Sequence, residues 1–148
     1  MRIRNFLFRM VGLTTEPLIV PPSKAQAQRS VNERASALIL DLSHALFDLA
    51  PQGDAAWKKA YYRFQCDAAG NASAACCRSD AGPRRISTVA PDMDEKAEAL
   101  IKLFGKSQGV LLLIVSADAN YKVDFDWDDF GRWPVGADGA ISGLPLDH

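Results

Sequence analysis

Residues 110–130 read VLLLIVSADANYKVDFDWDDF, and the rest of the chain can be placed relative to them. Six apolar residues, Val110 to Val115, open the stretch; they are rich in branched side chains and too few to span a bilayer. A short apolar run of this kind, bounded by turn residues, predicts a strand buried on both faces. Residues 116–120, SADAN, supply turn chemistry. Beyond them Tyr121, Val123, Phe125 and Trp127 alternate with Lys122, Asp124, Asp126 and Asp128. Side chains on a strand alternate between its faces, so one face packs inward and the other carries a solvated row of carboxylates. The stretch predicts a β-hairpin with a buried central strand and a half-exposed acidic partner.

Upstream of the hairpin, Pro91-Asp92 opens a helix with Asp92 and Glu95 at capping spacing, and Met93, Ala97, Leu100, Ile101 and Phe104 form its apolar stripe before Gly105 stops it. Residues 57–66 alternate again, with Tyr62, Phe64 and Cys66 on one face and Tyr61, Arg63 and Gln65 on the other. A turn through Ala68-Ala69-Gly70-Asn71 leads to a return strand over 72–79, which places Cys66 opposite Ser73. Gly82-Pro83 breaks the chain, and residues 84–89 form a third short strand. Ser30-Val31-Asn32-Glu33 has capping-box spacing, and the helix it starts carries Val31, Ala35, Leu38, Leu42, Ala45, Leu46 and Leu49 before Pro51 and Gly53 end it. Leu40 and Phe47 fall on the opposite side and call for a cover, for which Leu18-Ile19-Val20 is the nearest segment. The expected fold is α+β: an antiparallel sheet of four to five strands with two helices packed on one face. Residues 1–29 read as an N-terminal arm, 30–130 as the folded domain and 131–148, with Gly131, Pro134, Gly136, Gly139, Gly143 and Pro145, as an irregular tail.

A chain of 148 residues with 48% hydrophobic content fits one domain with an ordinary core. The net charge of −1 names no partner, but residues 118–130 hold five aspartates against Lys122. At the N-terminus a basic start and Phe6-Leu7-Phe8 imitate a secretion signal, yet Arg9 and Glu16 interrupt the apolar run, so a cytoplasmic location is expected. Cys66, Cys76 and Cys77 suit neither a disulfide framework nor a zinc site and read as reduced, buried thiols.

Asp124-x-Asp126-x-Asp128 resembles the start of a calcium loop, but Asp129 stands where that loop needs glycine and Val135 where it needs glutamate. Outward carboxylates two apart on a strand lie about 7 Å from each other, too far to share a metal without outside help. There is no P-loop, no nucleophile elbow and no dinucleotide fingerprint. His44 falls on an outer helix face and His148 ends the sequence, so no Cys–His pair is positioned. Arg84-Arg85 is too short for a nucleic-acid stripe, and an acidic hairpin repels phosphates. Trp57 and Trp127 read as core; Trp133, beside Arg132, is either a clasp onto the body or an interface anchor.

The run from Gly109-Val110-Leu111-Leu112-Leu113-Ile114-Val115 through Tyr121-Lys122-Val123-Asp124-Phe125-Asp126-Trp127-Asp128-Asp129-Phe130 resembles the YezG-type immunity proteins of bacterial polymorphic-toxin systems. The order before it, with a helix, a strand opening on Trp57-Lys58-Lys59-Ala60-Tyr61, a return strand and a second helix, is similar as well. The resemblance covers about residues 31–130. It implies a non-enzymatic cytoplasmic antitoxin, without cofactor or metal, that binds a cognate toxin, usually a nuclease domain. Asp124, Asp126, Asp128 and Asp129, with Arg132 and Trp133, are the expected contacts to a basic toxin surface, with no direct nucleic-acid or membrane binding. The alternatives are a small metal-dependent hydrolase using Asp124, Asp126 and Asp128, and a subunit of another assembly joined through Leu40 and Phe47.

Overall fold

A computed structural model describes residues 8–9, 22–87, 89–137 and 140–144. The elements are β1 (Phe8–Arg9), α1 (Pro22–Gly53), β2 (Lys59–Asp67), β3 (Gly70–Ser79), β4 (Gly82–Ile86), α2 (Pro91–Leu103), β5 (Gly109–Ser116) and β6 (Tyr121–Asp126). They form one six-stranded sheet in the order β1-β6-β5-β2-β3-β4. Strands β2 to β6 pair antiparallel, and the two-residue β1 adds parallel to the β6 edge, with Phe8 opposite Val123 and Arg9 opposite Asp124. Both helices cover the same face of the sheet, so the chain is an α+β fold with the expected layering.

The apolar run of β5 lies between β2 and β6, and every residue from Gly109 to Val115 is buried. Leu111, Leu113 and Val115 face the helices with Ala60, Tyr62, Phe64, Val123 and Phe125. Burial of a side chain of this size stabilises by about 1.5–3 kcal/mol. Trp127 continues this side just past β6, stacking on Phe125 with ring centroids 5.1 Å apart. It lies directly over Gly109, where a Cβ would come within 2.6 Å of the indole.

Helix α1 begins at Pro22 and not at Ser30. Lys24, Ala25, Gln26, Ala27, Gln28 and Arg29 are good helix formers, and Pro22 sits where a missing amide costs no internal bond, so the helix runs through the capping-box residues. Residues 22–29 are therefore helix and not arm, whereas Leu18-Ile19-Val20 lies outside the described residues. The buried stripe is Ala35, Ile39, Leu42, Leu46 and Ala50, joined by Ser43, whose Oγ donates to the Ile39 carbonyl at 2.7 Å. Ile39 belongs to it because the stripe is set by the sheet surface beneath the helix. Val31, by contrast, is only half-buried. Phe47 is covered from within the domain, edge-on to Trp57 at 5.2 Å, and Leu40 remains 36% exposed.

The β2–β3 turn is a two-residue loop and not the expected four residues 68–71, which shifts the pairing register by two residues. Asp67 pairs with Gly70, Ala68-Ala69 form the loop, and Asp67 Oδ1 accepts the Ala69 amide at 2.8 Å. Gly70 has φ 127°, a conformation closed to most side chains. Cys66 consequently faces Asn71, and Phe64 faces Ser73. Cys76 and Cys77 point to opposite faces of β3, and all three cysteines are buried and free. Strand β4 ends at Ile86, and Val89 is already in the approach to α2. At that helix the N-cap is Ala90, with no side-chain cap and Pro91 at the first position, so the Asp92–Glu95 pairing is not used. Asp94 instead accepts from Tyr62 Oη at 2.6 Å and Ser73 Oγ at 3.0 Å, tying α2 to the sheet.

The second face of the sheet is not solvated as the alternation suggested. Residues 131–137 and 140–144 lie across it, and Trp133, Ile141 and Leu144 pack on Tyr61, Cys76, Val110, Leu112 and Ile114. The Gly- and Pro-rich segment closes on itself through an isolated bridge between Val135 and Ile141. Among the described residues, no helix is long and apolar enough to cross a membrane.

Candidate functional site

The corner where β6 gives way to the returning segment is built by one carboxylate. Asp126 Oδ1 accepts the main-chain amides of Asp128 at 2.9 Å and Asp129 at 2.8 Å, which competes with ladder pairing and ends the strand. Its Oδ2 takes the Arg132 guanidinium at 3.2 Å. Partial burial works against ionisation of Asp126, but the two amides and Arg132 together hold its carboxyl below the usual range. Asp129 Oδ1 then accepts the Gly131 amide at 3.0 Å, and the Asp129 carbonyl accepts the Arg132 amide at 3.3 Å.

From beneath, Arg63 fixes the same corner. It is 4% exposed on the second face of β2. Its Nε donates to the Arg132 carbonyl at 3.0 Å, and one Nη donates to the Phe130 carbonyl and to Gln65 Oε1, both at 2.8 Å. Burial pulls the guanidinium pKa below its ordinary value, and the negative charge of Asp129 opposes that shift. Gln65 is held in turn by Asp67 Oδ2 at 2.6 Å. These contacts link the end of β2 to residues 130–132, far away in sequence.

The six expected contact residues separate into distinct environments. Asp124 is an interior member of β6, with a 14% exposed side chain 3.8 Å from Lys122 Nζ. Asp126 is 17% exposed and committed to the turn, so it does not point outward as strand parity implied. Asp128 and Asp129 are exposed. Arg132 is half-exposed, with its guanidinium 4.5 Å from the centre of the Trp133 ring. Trp133 is 4% exposed, so of its two readings it takes the clasp and offers a partner no surface. Its φ of 55° is unusual for a bulky residue, and the buried ring holds it there.

The carboxylates do not converge as a shared metal site would require. Asp126 has both oxygens engaged, Asp124 lies beside a lysine, and Asp128 is past the strand end. Among the described residues no three His, Cys, Asp or Glu side chains are grouped to hold a metal ion.

No protein-family model matches this chain, and a search of curated proteins finds no match either. Function must then be argued from the corner's own chemistry, because a fold class hosts many functions.

Arg63 and Gln65 were not among the residues expected at the site. In sequence they sit on the outward parity of β2, where a polar side chain normally meets water. The available signal was Trp133, Ile141 and Leu144, three large apolar residues in a segment otherwise suited to loops. Apolar residues of that size need a surface, and the second face of the sheet is that surface.

Proposed function

We propose that this chain is an immunity-type binding protein that acts in the cytoplasm, without catalysis of its own, by masking a basic surface of a cognate toxin domain of the nuclease class. The contact surface is narrower than the acidic run: Asp128 and Asp129 carry it, with Arg132 at its rim. One observation carries the reading. Two exposed carboxylates are displayed on a backbone that Asp126 pins from one side and Arg63 from the other. A preordered charged corner loses little conformational freedom on docking, and adjacent like charges at a fixed spacing suit a basic partner. Their field also steers encounter, an effect that salt screens beyond about 8 Å at physiological ionic strength.

The test is affinity for the protein encoded beside this one, measured at low and high salt, for the wild type and Asp128→Lys/Asp129→Lys. Asp126 is left intact because its loss disturbs the turn. The expected result is a roughly tenfold or greater loss of association rate at low salt, shrinking as salt rises, with unchanged circular dichroism. Unaltered binding by the folded double variant would sink the acidic-corner assignment. Failure of the neighbouring protein to bind the wild type at any salt would count against the immunity reading itself.

A further inference from the structure

Strand β4 covers only half of β3. It pairs with Ala75–Ser79, whereas residues 70–74 have β2 on one side and, among the described residues, no strand on the other. A strand directs half of its main-chain N–H and C=O groups to each neighbour, so this half of β3 presents groups with no ladder to join. Sheet edges are commonly blunted by proline and by charge. β4 has both, in Pro83 and the exposed Arg84 and Arg85, whereas Gly70, Asn71, Ala72, Ser73 and Ala74 bring neither. The first three of these are exposed and the last two only half-buried.

Helix α2 runs along this open edge and presents acids to it. Ser73 Oγ donates to Asp94 Oδ2 at 3.0 Å and Asn71 Nδ2 to Glu98 Oε1 at 3.1 Å, so a carboxylate stands beside each of two alternate β3 residues. Glu98 also takes Lys102 at 2.9 Å. Glu95, on the same side of the helix three residues before Glu98, is exposed and has no ion-pair partner among the described residues. Positions 94 and 98 lie about 6 Å apart along the helix axis. That is close to the roughly 7 Å between alternate residues of an extended chain.

We propose that residues 70–74 receive, by strand addition, an extended peptide segment with lysine or arginine at alternate positions. Main-chain bonds to the open edge hold it, and its basic side chains, all on one face, meet Asp94, Glu95 and Glu98 at matching spacing. Arg84 and Arg85 repel such a segment from β4 and confine it to the open half. A second copy of this chain fits less well, because self-pairing sets two acidic helix faces against each other. The site shares no residue with the acidic corner, so it stands or falls separately from the immunity reading.

The probe is a capped synthetic peptide, Thr-Lys-Val-Lys-Thr-Lys-Val-Lys-Thr, titrated into the full chain and followed by fluorescence anisotropy and amide hydrogen exchange. The expected result is saturable binding with slowed exchange within residues 70–74. N-methylation of alternate peptide residues should abolish binding in one parity and spare it in the other, the mark of a ladder formed on one side. Glutamate in place of the peptide lysines should also abolish it. Glu95→Gln/Glu98→Gln should weaken binding by about tenfold or more, with unchanged circular dichroism. Equal binding of the two methylated peptides, protection at residues 128–129 in place of 70–74, or unchanged affinity in the folded Glu95→Gln/Glu98→Gln variant would each overturn the proposal. So would a peptide-free dimer already protected at 70–74.

Discussion

A guanidinium that is 4% exposed and donates to two main-chain carbonyls leaves little room for substitution. Arg63→Met keeps most of the aliphatic bulk but strands the Phe130 and Arg132 carbonyls beneath the returning segment. Unsatisfied buried acceptors cost about 1–3 kcal/mol each, so for the two a loss of roughly 2–6 kcal/mol is expected in urea unfolding. The same variant should be nicked faster by protease between residues 130 and 137, which separates release of this segment from general loss of stability. Gly109 makes the opposite demand, since there a side chain is excluded. Its Cβ would lie 2.6 and 2.8 Å from two indole carbons of Trp127 and 3.5 Å from the Asp126 carbonyl. Gly109→Ala should therefore displace the indole and cost about 1–3 kcal/mol, the usual penalty for overpacking. A shift in tryptophan emission would accompany it; an unchanged spectrum and stability would mean that the ring is free to slide.

Among the elements, β6 shows how one strand serves two faces. Val123 and Phe125 join the helix-side core, while Lys122, Asp124 and Asp126 sit on the side that the returning segment closes. The strand ends where Asp126 turns its carboxylate onto the next two amides but one, those of Asp128 and Asp129. Because the folded state lowers the Asp126 pKa, its contribution to stability is fully present above the unfolded value of about 3.9. It is lost as pH falls through the depressed folded value, so the protein should weaken on acidification below about pH 4. Asp126→Asn keeps an acceptor for the amides but surrenders the charge that Arg132 meets. The variant should be less stable than wild type at neutral pH, and the difference should shrink as pH is lowered past 4, as read from urea midpoints across that range. A difference that stays constant with pH would show that the charge of Asp126 does not matter to the turn.

For the molecule as a whole, the decisive feature is that the sheet has two packed faces. The helix side holds the larger core, and Trp133, Ile141 and Leu144 from beyond β6 contribute to a smaller one. Ending the chain after Phe130 should uncover Tyr61, Val110, Leu112 and Ile114 and remove the Arg132 carbonyl from Arg63. An apolar patch of that kind promotes association. The truncated protein is expected to bind a hydrophobic dye and to self-associate in ultracentrifugation, with helix content retained. A monomeric truncation with a wild-type melting temperature would show that the second core contributes little.

Local pattern in the sequence determined the buried hairpin strand, the alternating partners on either side of it, the two helices and their shared face. Each of these rests on a period of apolar residues, and a period survives whatever packs against it. The start of α1 escaped that reasoning because Ser30 and Glu33 satisfy a capping signature equally well inside a helix that good helix formers extend back to Pro22. At the hairpin turn, the register depended on which two residues could close the loop, and Asp67 settled it by bonding to the Ala69 amide. The candidate site was half legible: the acids were visible as a cluster, but their division into exposed Asp128 and Asp129 and committed Asp126 was not. Parity along a strand tells which residues share a face, not whether that face meets water. Only the tertiary structure decided that, because the cover comes from Trp133, Ile141 and Leu144, and nothing local in β2 or β6 encodes where these distant residues will land.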